Sequence, residues 1–142
     1  MEKQDSIFCK CLYFSANAFT RVITKMAEEE FSFTGLAPSY AFLLMAVNKE
    51  PGIQPKTISE LMQLTPSTVT RLVEKMEHKG FVNRKYIGKT TEVYPTSKSL
   101  NLDKKIRKSW SNLYTRYSEI LGETDGRELT TLLYEGAKKL EK

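Results

Sequence analysis

The sequence predicts a mainly α-helical protein with one small β-hairpin, arranged over residues 57–95 as helix, turn, helix and hairpin. Two observations support this fold class. Apolar residues recur at helical spacing in two segments that a short turn separates, and a segment rich in β-branched and aromatic residues follows directly. This order is typical of a winged helix-turn-helix, and we expect further helices on both sides of it.

A long first helix is predicted for residues 5–30. Its apolar residues cover a wide arc and are Phe8, Leu12, Phe19, Val22, Ile23 and Met26. A helix near a chain end with so wide an apolar surface usually packs against more than one neighbour, and a partner subunit is the expected second one. Pro38 then begins a second helix, which turn-forming residues at positions 48–52 end.

Capping residues predict the limits of the next two helices. Thr57 followed by Glu60 fits a capping box, which would begin the first of them. Thr65 before Pro66 fits an N-cap followed by proline at the first helical position, and Gly80 suits a left-handed end after the second helix. We therefore expect two short helices joined by a tight turn.

The second of these helices has an apolar and a polar side. The apolar side consists of Val69, Leu72, Val73 and Met76 and should pack against Ile58, Leu61 and Met62 of the preceding helix. The polar side places short hydroxyls around one arginine, a surface that suits base edges in a major groove. Its predicted DNA contacts are Ser67, Thr68, Thr70, Arg71 and Lys75. A solvated polar face is the alternative.

A basic hairpin is predicted next, with strands at residues 81–86 and 91–94 and a tip at residues 87–90. Its predicted DNA contacts are Arg84, Lys85, Lys89 and Thr90. The three basic residues are expected to meet phosphates, and Lys89 at the tip is the best candidate to enter a minor groove. Lys56, beside a helix N-terminus, is either a further phosphate contact or a solvated lysine.

The charge distribution favours a polyanionic partner. Residues 55–98 hold eight Lys and Arg against four Asp and Glu, a net charge of +4, while the whole chain carries +5. Most of the excess therefore lies in the segment predicted to contact DNA, as the release of counterions requires.

Two helices are predicted after the hairpin. The first covers residues 99–121, a break follows at residues 122–126, and a last amphipathic helix completes the chain. A minimal winged unit needs neither chain end, so we predict that the terminal helices form a dimer interface. Symmetric DNA reading requires such pairing because half-sites lie about one helical turn apart.

Residues 57–94 resemble the MarR family of bacterial transcriptional regulators, and the likeness extends more loosely over the whole chain. The motifs that carry it are Ile58-Ser59-Glu60-Leu61, Pro66-Ser67-Thr68-Val69-Thr70-Arg71-Leu72-Val73 and Lys79-Gly80-Phe81-Val82-Asn83-Arg84. The wing departs from the family pattern. Where the family commonly has an Asp-Arg-Arg tip, this chain has the shorter Gly88-Lys89-Thr90-Thr91.

The resemblance implies a homodimer that inserts two recognition helices into successive major grooves of a palindromic operator. It further implies a repressor that is released by a small ligand or by oxidation. We accordingly expect a single MarR-like domain over residues 1–142, with a winged helix-turn-helix core at residues 36–96. Residues 1–32 and 99–142 are the expected dimerisation helices.

Cys9 is a candidate redox site. The segment Phe8-Cys9-Lys10-Cys11-Leu12-Tyr13 resembles the Leu-Cys-x-x-Leu-Tyr segment of the branch of this family that senses organic hydroperoxides. That resemblance implies an oxidisable cysteine near the start of the first helix, where Lys10 and helix-start amides would favour the thiolate. The alternative is a buried, inert cysteine.

Other chemistry is disfavoured. Two cysteines and one histidine cannot supply a zinc-finger ligand set, so no metal is expected. There is neither a glycine-rich phosphate loop nor a nucleophile spaced with His78, and we predict no enzymatic activity and no cofactor.

The longest apolar run, residues 41–47, is far shorter than the roughly 20 residues that span a bilayer, and the polar start resembles no targeting segment. We expect a cytoplasmic protein without membrane contact.

Two functions remain open. The first is a dimeric DNA-binding repressor with a small-molecule effector, for which the candidate cleft residues are Tyr13, Tyr40, Phe42, Trp110 and Tyr114. Aromatic residues at helical spacing belong to a core more often than to a pocket. The second is a winged-helix module that binds another protein, since a fold alone does not fix function. Arg71 and the basic wing favour the first.

Overall fold

The computed structural model describes residues 4–141 and, within that range, contains six α-helices and one two-stranded antiparallel sheet. In chain order these are α1 (Leu12–Phe31), α2 (Pro38–Lys49), α3 (Pro55–Met62), α4 (Pro66–His78), β1 (Val82–Ile87), β2 (Thr90–Pro95), α5 (Ser97–Leu121) and α6 (Glu123–Leu140). The predicted helical fold with a small hairpin is confirmed. Residues 1–3 and 142, which belong to the predicted dimerisation segments, lie outside the described range.

No single helix of the described chain is long and apolar enough to cross a membrane. The segments Leu12–Thr34 and Pro38–Lys49 reach that length and apolar character only as a pair, which is bent by 59°.

One apolar core joins the helix-turn-helix to the hairpin and to α5. From α4, the predicted stripe residues Val69, Val73 and Met76 are buried in it. Other buried members come from α1, α2, α3, both strands and α5 and include Phe31, Leu43, Leu44, Val47, Ile58, Val82, Val93 and Ile106. Each such side chain contributes about 1.5–3 kcal/mol relative to an exposed position. This burial holds α4 with its polar side in solvent.

The predicted start and end of α4 are confirmed. Thr65 is its N-cap, and its Oγ1 accepts a hydrogen bond from the Thr68 backbone N–H at 3.4 Å. Pro66 occupies the first helical position, and Gly80 follows the helix with a left-handed φ of 82°. Glycine adopts that conformation without a steric penalty.

The predicted start of α3 is wrong. The helix begins at Pro55, its N-cap is Gln54 without a side-chain hydrogen bond, and Thr57 lies inside the first turn. Proline at the first helical position is itself a start signal, because its fixed φ suits a helix and its missing N–H is no loss there. Leu61 is also misplaced in the predicted core, since 62% of it is exposed. It lies beside the cleft described below, whereas Ile58 is buried.

Two further helix limits differ from the prediction. Helix α1 begins at Leu12 and not at residue 5, because the N–H of Cys11 bonds the carbonyl of Phe8 in a turn and Cys11 is the N-cap. Helix α6 begins directly after Gly122, so the predicted break at residues 122–126 is a single glycine with φ of 93°. Acidic residues in the first turn of α6 suit the positive end of the helix dipole.

The hairpin is slightly longer than predicted and ends in a two-residue tip. Ile87 pairs with Thr90, which leaves Gly88, with φ of 63°, and Lys89 at the turn. At its base, the Val93 N–H donates to the Ile53 carbonyl at 3.0 Å, which ties β2 to the segment before α3. The wing is therefore anchored at one end and exposed at the other.

Candidate nucleic-acid interface

The exposed side of α4 carries the residues predicted to read bases. Ser67, Thr70, Arg71 and Lys75 are exposed; we call these four the recognition face. Within residues 4–141, no hydrogen bond or ion pair engages the Arg71 guanidinium. An unpaired guanidinium can donate two parallel hydrogen bonds to guanine, and the neighbouring hydroxyls can donate or accept.

Two threonines of α4 are partly committed to the helix itself. Thr70 Oγ1 donates to the Pro66 carbonyl at 3.0 Å, although the residue is exposed. Thr68 is half-buried, and its Oγ1 lies 2.8 Å from the Oγ1 of the N-cap Thr65. Both hydroxyls keep a lone pair for a further partner, but Arg71 is the group with the greater freedom to reach outward.

Arg84 fastens the wing to α4. Its Nε and Nη2 donate to Glu77 Oε1 at 3.2 and 2.8 Å, and its backbone N–H donates to Glu77 Oε2 at 3.3 Å. The carboxylate of Glu74 lies 3.9 Å from Nη1. The side-chain hydrogen bond from Arg84 lowers the pKa of Glu77. The phosphate contact of Arg84 remains a prediction, and it concerns a guanidinium that is already paired.

The other predicted basic contacts are exposed. Lys89 is at the tip of the wing, and Lys56 lies in the first turn of α3. Lys85 is exposed and lies over the ring of Tyr94, with Nζ 4.7 Å from the ring centroid. Thr90 Oγ1 donates to the Ile87 carbonyl at 2.7 Å, which closes the turn. These positions leave three lysine side chains accessible to an anionic surface.

Lys98 and Thr96 make internal contacts at the base of the wing that were not predicted from the sequence. Lys98 Nζ donates to the Lys79 carbonyl at 2.9 Å and lies 4.4 Å from the Phe81 ring centroid. Thr96 Oγ1 donates to the carbonyls of Gly80 and Phe81 at 2.7 and 3.0 Å. Both link α5 to the end of α4, and no local pattern would have revealed them because the partners are 15–19 residues apart.

A cleft of about 530 Å³ lies between α2, α3 and α5, and we call it the α2–α5 cleft. Phe42 and Trp110 line it, as predicted, with ring centroids 5.9 Å apart. Tyr13, Tyr40 and Tyr114 do not line it; Tyr114 packs against Tyr117 instead. The remaining lining residues are Ser39, Met45, Ala46, Lys49, Leu61, Met62, Leu64 and Arg107. The sequence did not point to Arg107, whose position depends on how α5 packs.

Both cysteines are exposed, which contradicts the buried alternative. Cys9 lies in the turn before α1, and the N-cap position belongs to Cys11. The helix-start amides that would favour a thiolate are therefore nearer to Cys11 than expected. A redox role for Cys9 stays a prediction.

Residues 36–86, which contain the recognition face and β1 up to Tyr86, match the model of the MarR family. This segment therefore has the sequence pattern of a MarR-family domain. A search of curated proteins finds no match. The chain is similar in fold to solved transcriptional regulators, and the similarity extends over nearly its whole length.

The PcaV transcriptional regulator of Streptomyces coelicolor, in complex with its natural ligand, is 18% identical with a TM-score of 0.82, over 97% of this chain and 98% of that one. The S. aureus MepR–DNA complex is 13% identical with a TM-score of 0.77, over 96% and 99%. A MarR family regulator of Listeria monocytogenes complexed with 26mer DNA is 18% identical with a TM-score of 0.75, over 92% and 89%. These similarities establish the winged helix-turn-helix fold of this chain.

The ion pair between Arg84 and Glu77 leads to a prediction about the stability of the protein. Arg84→Ala is expected to lower the free energy of unfolding by up to about 1 kcal/mol at pH 7, since it leaves a partly exposed carboxylate without its partner. Urea denaturation measures this change. Lys85→Ala, on the next residue of the same strand, is the control and should stay within about 0.5 kcal/mol of the unmodified protein.

The contribution of this ion pair to the free energy of unfolding should depend on pH. Because the pKa of Glu77 is lowered in the folded state, its contribution is fully present above the ordinary value of 4.5 and is lost as the pH falls through the lower folded value. The stability difference between the unmodified protein and Arg84→Ala should therefore shrink at acid pH. A difference that stays constant from pH 7 to pH 3 would contradict the ion pair as its cause.

Proposed function

We propose that this protein is a homodimeric transcriptional repressor that binds a palindromic operator in double-stranded DNA and is released by a small ligand. The observation that carries the proposal is the recognition face, on which the unpaired Arg71 stands among hydroxyls. A helix capped at both ends and buried on its opposite side presents these groups in a fixed arrangement. Such a helix fits a major groove.

The charge of the same region supports DNA as the partner. Lys56, Lys75 and Lys89 are exposed on α3, α4 and the wing tip. Each can neutralise a phosphate and release counterions. In a dimer these three lysines would supply about six phosphate contacts.

Homodimerisation is supported by apolar surface at both chain ends. Large side chains on α1, the end of α5 and α6 are exposed in the single subunit, among them Val22, Ile120, Leu132 and Leu140. A soluble protein rarely leaves large apolar surfaces uncovered. A second copy of this chain is the occupant that also provides the two recognition helices that a palindromic site requires.

The α2–α5 cleft is the proposed effector site. Its volume lies within the range of about 300–1,000 Å³ that is usual for ligand pockets. Phe42, Met62 and Trp110 offer apolar surface, and Lys49 and Arg107 supply the only cationic groups among its lining residues. This combination suits an organic anion with an apolar body.

Binding at two salt concentrations tests DNA recognition. We expect a site selected from random duplexes to lose about 1,000-fold in affinity between 50 and 200 mM salt, since about six phosphate contacts are released. Fluorescence anisotropy with labelled duplex measures this loss. Negligible binding at both concentrations would instead favour the protein-interaction module.

A further inference from the structure

Arg107 in the α2–α5 cleft is paired with an acid that also holds a neighbouring helix. Its Nε donates to Asp103 Oδ2 at 2.8 Å, one turn earlier on α5. The other oxygen, Asp103 Oδ1, accepts from Asn48 Nδ2 of α2 at 3.0 Å. One carboxylate therefore connects a cation of the cleft to the end of α2.

Asn48 in turn fastens the start of α5. Its Nδ2 also donates to the Ser99 carbonyl at 3.2 Å, and Ser99 Oγ donates to Asn48 Oδ1 at 2.7 Å. Ser99 is fully buried, so its hydroxyl depends on this partner. We call Arg107, Asp103, Asn48 and Ser99 the polar relay.

The relay ends where the wing is attached. Ser99 lies in the first turn of α5, three residues after Thr96, which binds the carbonyls of Gly80 and Phe81 at the junction of α4 and β1. A shift at the start of α5 would therefore act on both the recognition helix and the wing. Hydrogen bonds therefore run from the cleft to Ser99, and the backbone of the first turn of α5 connects Ser99 to Thr96 at this junction.

The two ends of the relay differ in how easily they change. The Arg107–Asp103 pair is a partly exposed pair within one helix, with 47% and 25% of the side chains exposed, and such pairs contribute little to stability. The Asn48–Ser99 pair is shielded and mutually satisfied, so altering it is costly. An anion in the cleft can therefore replace Asp103 as the partner of Arg107 at little cost in free energy. Because the Asp103 carboxylate also accepts a hydrogen bond from Asn48, its displacement would alter the bonds of Asn48.

We propose that an acidic effector displaces Asp103 from Arg107, and that the released carboxylate disturbs the Asn48–Ser99 link and moves the start of α5 relative to α2. The inference rests on the proposed effector-gated DNA binding and adds the residues that couple the two sites. Lys49, next to Asn48, lines the same cleft and adds to its attraction for anions. Asn48 and Ser99 are positioning residues that do not touch the effector.

Coupling is measured as the ratio of DNA dissociation constants with and without effector. The probes are benzoate, phenylacetate and cinnamate, three carboxylates with apolar bodies. For the unmodified protein we expect at least one of them to weaken DNA binding by about 5- to 150-fold, the usual range for coupled sites. Asn48→Ala and Ser99→Ala should bind that carboxylate within about threefold of the unmodified protein but reduce the coupling to less than about threefold.

Two further variants separate a relay from a general loss of stability. Thr34→Val removes another buried hydroxyl, which donates to the Phe31 carbonyl at 2.6 Å and accepts from the Leu36 N–H at 3.0 Å. None of these residues belongs to the relay, so this variant should keep full coupling. Asp103→Asn preserves an acceptor for Asn48 but frees Arg107, so it should bind the carboxylate several-fold more tightly and show reduced coupling. If Asn48→Ala does not fold, Ser99→Ala and Asp103→Asn provide the same comparison.

Each failure has a distinct meaning. Full coupling in Ser99→Ala and Asp103→Asn, with unchanged carboxylate affinity, overturns the relay and leaves the effector site standing. Failure of all three probes to bind the unmodified protein overturns the acidic effector and with it the relay, while salt-dependent DNA binding would still support the proposed regulator. Loss of DNA binding itself would contradict the proposed function.

Discussion

Arg71→Ala is expected to lower affinity for the selected operator by about 1–3 kcal/mol per half-site while leaving affinity for random DNA nearly unchanged. The guanidinium is exposed on α4, and its predicted partner is the edge of a guanine, a contact that random sequence seldom offers. Competition titrations against operator variants with one substituted base pair per half-site measure the effect. The preference for the base at one position should relax.

Lys89→Ala is the matched control for Arg71→Ala. Both changes remove one positive charge from the proposed interface, but Lys89 at the wing tip is predicted to meet phosphate or the minor groove. Its removal should weaken operator and random DNA alike and make binding less dependent on salt. Equal losses on both kinds of DNA for Arg71→Ala would remove its role in base reading.

Leu132→Glu is expected to convert the protein to a monomer and to weaken operator binding by at least about 100-fold. Leu132 on α6 is 71% exposed in the single subunit, so a folded monomer tolerates the carboxylate. In a dimer the same carboxylate would be buried without a partner, which costs several kcal/mol per ion. Sedimentation velocity measures the oligomeric state, and circular dichroism tests whether the helices persist.

Leu100→Glu is the control for the dimer interface. Leu100 is likewise exposed, but it lies in the first turn of α5, close to the wing and far along that helix from its junction with α6. This variant should remain dimeric. A dimer that survives Leu132→Glu would exclude this part of α6 from the interface.

Local sequence signals correctly predicted the limits and the buried side of α4. Thr65, Pro66 and Gly80 bracket α4 as their capping chemistry indicates, and the apolar stripe is buried. The capping box at Thr57 failed because Pro55 is a competing start signal two residues earlier. When two start signals lie within one helical turn, the sequence alone does not show which of them begins the helix.

The cleft could be predicted only in part. Phe42 and Trp110 line it as expected, but Arg107 was not identified and Tyr114 was placed there wrongly. Residues one turn apart on α5 face different neighbours, and which of them meets α2 depends on the rotation of the helix in the assembled core. Helical periodicity shows which residues share one side of a helix, but it does not show which neighbouring helix that side contacts.

The order of elements, the capped helix α4, its exposed Arg71 and the basic wing all follow from the amino-acid sequence, because turns, caps and apolar periodicity act over a few residues. The pairing of Arg84 with Glu77, the composition of the α2–α5 cleft and the polar relay from Arg107 to Ser99 were decided only by the folded chain. The last two depend on contacts between α2 and α5, whose bonded residues lie 51–55 positions apart. Such contacts form only when the apolar core brings distant segments together, and no local preference encodes which polar groups then meet.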